Sequence, residues 1–182
     1  MIKKCILRIT NLWYYLFRVC YRRVRGMNMV DGKLTVFDVA NFFSAKEEMS
    51  RKKLQKLVYY AYAWFLALNN EDKDNISVRL FEGCEFQAWV HGPVCPQLYH
   101  HYSNNYGIVP RYEGELSSLI NGELRKFLDT IYETFGKYTG DELETMTHLE
   151  APWQNARDAL PPYVASKKVI SETDMFVYYN SI

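Results

Sequence analysis

From Trp89 to Tyr102 the chain reads WVHGPVCPQLYHHY, and few local structures can accommodate that order of residues. Phe86, Ala88 and Val90 alternate onto one face as a short strand does. Gly92 then permits a positive φ or a close backbone approach, while Pro93 fixes its own φ and biases Gly92 away from the α region. Pro96 suits the first turn of a helix. The stretch therefore predicts a rigid strand–turn–helix corner carrying Trp89, His91, Tyr99 and Tyr102. Such a corner holds either a catalytic group or a partner-binding surface, and residue chemistry alone does not choose between them.

The remaining segments predict a mainly α (α+β) fold, a single compact helical domain with one small antiparallel β-hairpin. Thr35-x-x-Asp38 makes a capping-box start for a helix bearing Val36, Val39, Ala40 and Phe43, just after an Asp31-Gly32 turn. After Ser50, apolar residues at Leu54, Leu57, Val58, Ala61, Phe65 and Leu68 keep helical spacing. Tyr59, Tyr60, Tyr62 and Trp64 line the same helix, most as core and one or two as exposed contacts. Arg51, Lys52, Lys53 and Lys56 crowd its first turns, the unfavourable end for the helix dipole. They read either as a solvated basic face or as a surface kept for an acidic partner. Ile76–Leu80 and Glu85–Val90 read as two strands paired through a Phe81–Cys84 turn. Helices follow from Pro96 to about Asn104 and from Leu116 to Gly136. Thr139-x-x-Glu142 caps a short helix with Leu143, Met146 and Leu149 on one side. PWQNARDAL follows, closed by Pro161-Pro162, and Ser171-x-x-Asp174 caps a terminal helix bearing Met175, Phe176 and Tyr179.

Charge divides the chain. Residues 1–26 hold seven basic residues and no acid, leaving residues 27–182 with 15 basic and 21 acidic ones. The acidic body has no electrostatic case for direct nucleic-acid binding. The head reads as an N-terminal amphipathic helix, with Ile2, Ile6, Ile9, Trp13, Leu16 and Cys20 on one side and arginines opposite. Its uninterrupted apolar run is too short to span a bilayer, and it lacks the form of a signal peptide. It serves as a helix docked on a partner, as a helix on an anionic membrane surface, or as an extension ahead of a body starting near Met27 or Met29. Four cysteines (Cys5, Cys20, Cys84, Cys95) without CxxC spacing are too sparse for a disulfide scaffold, and a reducing cytoplasm is the simplest setting. Fifteen Tyr give an aromatic surplus suited to a half-buried interface as well as to a core.

Catalytic motifs are missing: no Walker loop, GxGxxG, HExxH or GxSxG occurs. Cys84, His91, Cys95 and His148 match no standard zinc spacing, so no metal or cofactor is expected. A Cys95–His91 nucleophile pair is conceivable, but a buried helix-start cysteine is the commoner role. His148 reads as a turn lock through a backbone carbonyl or as a polar contact beside Trp153.

Three blocks in order, KLQKLVYYAYAW (53–64), EFQAWVHGPVCPQLYHHY (85–102) and LETMTHLEAPWQNAR (143–157), resemble the Panacea domain, the SocA-like antitoxin family also met in phage-associated proteins. The resemblance covers about residues 35–180 and omits the head. It implies a non-enzymatic antitoxin of a bacterial or phage toxin–antitoxin pair. Its partner would be a cognate toxin protein, with delivery of that toxin to a cellular protease as one mode of action. By matching position, Lys56, Tyr60, Trp89, Gly92, Pro93, Val94, Tyr99, Thr147, His148, Pro152 and Trp153 are the residues shared with the family. With Trp64 and His91 from the residue reading, they form the candidate partner-binding set. The alternatives are a small hydrolase using His91, Cys95 or His148, or a membrane-associated phage factor anchored by residues 1–26.

Overall fold

The computed structural model describes residues 33–104 and 106–182. The amphipathic head and the Asp31-Gly32 turn lie outside the described residues. One helix organises the fold. α2 (Arg51–Asn69) is buried from Leu54 to Ala67, because its apolar and aromatic residues encircle it rather than forming a stripe, and a helix hydrophobic all round must be wrapped by others. Ser50 starts it, its hydroxyl accepting from the Lys53 amide at 3.1 Å.

The wrapping elements are α1 (Val36–Ser44), the hairpin strands β2 (Gln87–Trp89) and β3 (Gly92–Val94), and the helices α3 (Pro96–His101), α4 (Gly122–Phe135), α5 (Gly140–His148), α6 (Ala151–Arg157) and α7 (Glu172–Ser181). α7, α5, α1, α4, α3 and β3 all pack directly on α2. A second strand pair, β1 (Met49–Ser50) with β4 (Ile108–Val109), closes the end where α2 begins. Both expected capping boxes form, Thr35 with Asp38 and Thr139 with Glu142, and Ser171 caps α7 through the Asp174 amide. Each satisfies amides that a helix start leaves without partners. The molecule is mainly α with small antiparallel strand pairs, as the sequence predicts.

The hairpin differs from expectation. Ile76–Leu80 is not a strand, because the Asn70 side chain supplies its partners instead. The Asn70 Oδ1 accepts from the amides of Ser77 and Val78, and its Nδ2 donates to the Val78 carbonyl. The strand at 87–89 pairs with the residues after the turn, Gln87 with Val94, Ala88 with Pro93 and Trp89 with Gly92. So Gly92-Pro93-Val94 is the second strand of the hairpin, and Pro96 begins α3 directly after it. α3 stops at His101, short of Asn104, and α4 starts only at Gly122, after Asn121. Leu149 falls past the end of α5 and is exposed.

The lysines at the start of α2 do not form a solvated basic face. Lys52 pairs with Asp141 and Glu144, Lys53 pairs with Glu47, and Lys56 is buried. Arg51 lies over the Tyr99 ring at 4.0 Å. Tyr59, Tyr60, Tyr62 and Trp64 are all core, with none left as an exposed contact. Cys84 and Cys95, expected to be unpaired, form a disulfide with a Cα–Cα distance of 6.3 Å, because the hairpin folds its two ends together.

Candidate functional site

The three sequence blocks converge where the β2–β3 hairpin lies across α2 and the α5–α6 junction. Gly92 is the closest point of approach. Its φ is +89°, and a Cβ placed there would lie 2.7 Å from Lys56 Cε and 2.8 Å from Thr147 Oγ1. Only glycine lets the hairpin sit this low. Lys56 is buried beneath it, its Nζ donating to the Pro93 carbonyl at 3.0 Å. One residue earlier, Gln55 receives the Cys95 amide on Oε1 at 2.8 Å and returns Nε2 to the Cys95 carbonyl at 3.2 Å. The edge of β3 and its exit are thus paired to side chains of α2 rather than to another strand, which meets the demand that buried backbone groups be bonded.

Above this layer Glu144 is a branch point. Its Oε1 lies 3.0 Å from His91 Nδ1 and its Oε2 lies 2.6 Å from Lys52 Nζ. Burial works against its charge, but Lys52 and His91 outweigh that and hold its pKa below the usual value. For Lys52 burial also opposes the charge, and Asp141 and Glu144 more than compensate. Lys56 has no carboxylate in contact. Burial drives its pKa down to about 7, with Glu144 offsetting part of the fall and Lys52 adding to it.

α6 locks the hairpin from the other side. Trp153 Nε1 donates to the Trp89 carbonyl at 3.0 Å, and the His148 ring stacks on Trp153 at 4.0 Å between centroids. Burial lowers the His148 pKa, so the stacked ring favours its neutral form. Pro152 sits in the first turn of α6, where its missing amide hydrogen costs nothing. Arg157, also buried, donates to the carbonyls of Ala88, Pro161, Pro162 and Val164 and lies over Trp153 at 4.9 Å.

A second buried group adjoins the first. Glu150 accepts from Tyr60 Oη at 3.0 Å and from Tyr179 Oη at 2.6 Å. The residue as a whole is half-buried, but both tyrosines are in the core, so the carboxylate end lies deep. Burial raises its pKa to about 7, against the two hydroxyl donors that lower it. Tyr60 stacks on Phe135 at 4.0 Å, and Trp64 packs on Tyr179 at 5.1 Å.

Of the candidate residues, Lys56, Tyr60, Trp64, Gly92, Pro93, Val94, Thr147, Pro152 and Trp153 are buried, Trp89, Tyr99 and His148 are half-buried, and His91 is exposed. Trp89, Tyr99 and Arg51, all half-buried, form a contiguous series, with the Trp89 and Tyr99 centroids 4.9 Å apart and Arg51 over the Tyr99 ring. The nearby loop holds Tyr106 wholly exposed at φ +48°, and the Arg51 amide donates to the Gly107 carbonyl beside it. The groups suggested for nucleophilic chemistry are otherwise engaged: Cys95 is fully buried and bonded to Cys84, while His91 faces Glu144. Among the described residues no group of three or more His, Cys, Asp or Glu is placed to hold a metal ion. No described helix is long and apolar enough to cross a membrane.

The sequence reading missed Gln55, Glu144, Glu150 and Arg157. Glu144 could have been found from its spacing to Thr147 and His148, which puts all three on one side of α5. No curated protein and no solved structure matches the chain. The family profile described as antitoxin SocA-like, Panacea domain, matches residues 54–154. That span runs from the buried part of α2 through the hairpin into α6, so it takes in Gln55, Lys56, Gly92, Glu144, Thr147 and Trp153, and by this match the chain belongs to the SocA-like antitoxin, Panacea domain family.

Proposed function

We propose that this chain is the antitoxin of a toxin–antitoxin pair, neutralising a cognate toxin protein in the cytoplasm by direct contact. Its contact surface is the outward side of the hairpin corner: Trp89, His91, Tyr99 and Arg51, with Tyr106 beside them. The observation that carries this reading is how the residues at the corner divide. Cys95 and His148 are engaged inside the fold, whereas an aromatic and arginine edge stays partly accessible, and Trp, Tyr and Arg dominate binding hot spots. The buried family residues act as scaffold, holding that edge in place. An excess of acidic residues in the body steers a basic toxin surface toward it.

Co-expression with the product of the adjacent gene tests this. Rescue of growth should fall in step with binding for Tyr99→Ala and His91→Ala. Cys95→Ala and His148→Ala should keep rescue wherever the chain stays folded. A single substitution that abolishes rescue while the complex persists would favour the enzyme reading. Toxin lifetime in cells with and without this chain separates delivery to a protease from simple masking: a shortened lifetime marks delivery, an unchanged one masking.

A further inference from the structure

Cys84 precedes β2 and Cys95 directly follows β3, so the bridge between them closes the open end of the hairpin whose turn carries His91. The hairpin has three residue pairs and little ladder of its own. Both strands are anchored, β2 by Trp153 and Arg157 on the Trp89 and Ala88 carbonyls and by backbone bonds to Lys168 and Ile170, but residues 82–85 ahead of it lead out to the surface. The β3 side is fixed to α2 through Gln55 and Lys56. The Cys84 side leads into an exposed turn at Glu82–Gly83, where Gly83 takes φ +75° and its carbonyl accepts from the exposed Gln97 side chain. Both cysteines line a cavity of about 610 Å³, together with Tyr62, Arg79, Gln97 and Glu172. Cys95 itself is fully buried and Cys84 is part-exposed, so Cys84 is the sulfur that a small thiol entering this cavity meets. Their Cα separation of 6.3 Å lies within the range a disulfide spans without backbone movement.

We propose that Cys84–Cys95 is a thiol-exchange site, a reversible clamp whose redox state sets how firmly the segment ahead of β2, residues 82–85, is held against the start of α3. The reactant is a small dithiol, or in the closing direction a small disulfide. In opening, a thiolate of the dithiol attacks Cys84 Sγ, the Cys84–Cys95 bond breaks, and Cys95 leaves as a thiolate that takes up a proton. The second thiol of the reagent then displaces Cys84 from the mixed disulfide. Two electrons and two protons pass to the protein, giving two cysteine thiols and an oxidised, cyclic reagent. Closing is the reverse. The bridge closes a loop of about a dozen residues, so its loss returns the chain entropy that closure had removed. The effect is a property of the hairpin and holds whether or not a toxin docks on it.

The full chain can be equilibrated in mixtures of reduced and oxidised dithiothreitol, alkylated, and cut with trypsin. The fragment 80–111 carries Cys84 and Cys95 and no other cysteine. It should pass together from no alkyl group to two as the reductant fraction rises. Backbone amide exchange over residues 82–85 should be at least about tenfold slower in the oxidised chain. Cys84→Ser, and separately Cys95→Ala should the first disturb folding, should exchange at the fast rate under both conditions. Two alkyl groups at every ratio, mixed disulfides only with Cys5 or Cys20, or equal exchange in the two states would each overturn the proposal.

Discussion

Lys56→Met isolates the energetics of the junction. In the folded chain burial lowers the Lys56 pKa from its usual 10.5 to about 7. A folded pKa below the unfolded one means that the unfolded chain binds more protons between those values. Stability therefore rises with pH from about 7 to 10.5, by about 1.4 kcal/mol per pH unit, and below pH 7 the cost of burying this group levels off at about 5 kcal/mol. Methionine has nearly the same length and removes that cost, but it leaves the Pro93 carbonyl without a donor, a loss of about 1–3 kcal/mol. The variant should be more stable than the wild type at pH 6, by roughly 2–4 kcal/mol, and less stable at pH 10, with the curves crossing between about pH 8 and 10. Urea denaturation of both chains in half-unit steps from pH 6 to 10 reads the difference directly. A difference that stays constant across the series would refute the reasoning, since it would mean that Lys56 titrates alike in the folded and unfolded chains.

Three further substitutions probe the same scaffold. Glu150 has the opposite sign: its folded pKa is raised to about 7, so its contribution is fully present below about pH 4.5 and lost as pH rises to 7, and Glu150→Gln should remove that descending limb and match or exceed the wild type at pH 8, by at most about 3 kcal/mol. Gly92→Ala should cost about 2–5 kcal/mol, from a positive φ and from the clash with Lys56 and Thr147, with a lowered urea midpoint as the readout. Arg157→Leu strands several carbonyls at once and should destabilise by about 3–5 kcal/mol, seen as a drop in Tm with near-UV signals of Trp153 and Trp89 altered together.

What the sequence made legible was whatever depends on neighbours within a turn or two. The helix from Leu54 to Leu68, the boxes at Thr35 and Thr139, the Ser171 cap and the Pro96 helix start are local, and each forms. The misread segments answer to distant partners. The Ile76–Leu80 pattern suits a strand, yet the Asn70 side chain takes its backbone groups. The lysines of α2 look unpaired because Asp141 and Glu144, which neutralise Lys52, lie some 90 residues on. Glu150 joins Tyr60 to Tyr179 across three helices, a relation that no spacing rule encodes. The cysteines carry no motif, and only the folded hairpin brings them together.

The proposed function rests on recognition of a toxin by a partly exposed edge backed by a buried scaffold. The most direct measurement is calorimetric titration of the full chain with the protein encoded beside it, alongside Tyr99→Ala. The account predicts a saturable complex that Tyr99→Ala weakens at least about tenfold with little change in Tm. A folded chain that binds nothing, or one that binds undiminished after Tyr99→Ala and yet loses toxin rescue on Cys95→Ala, would contradict it.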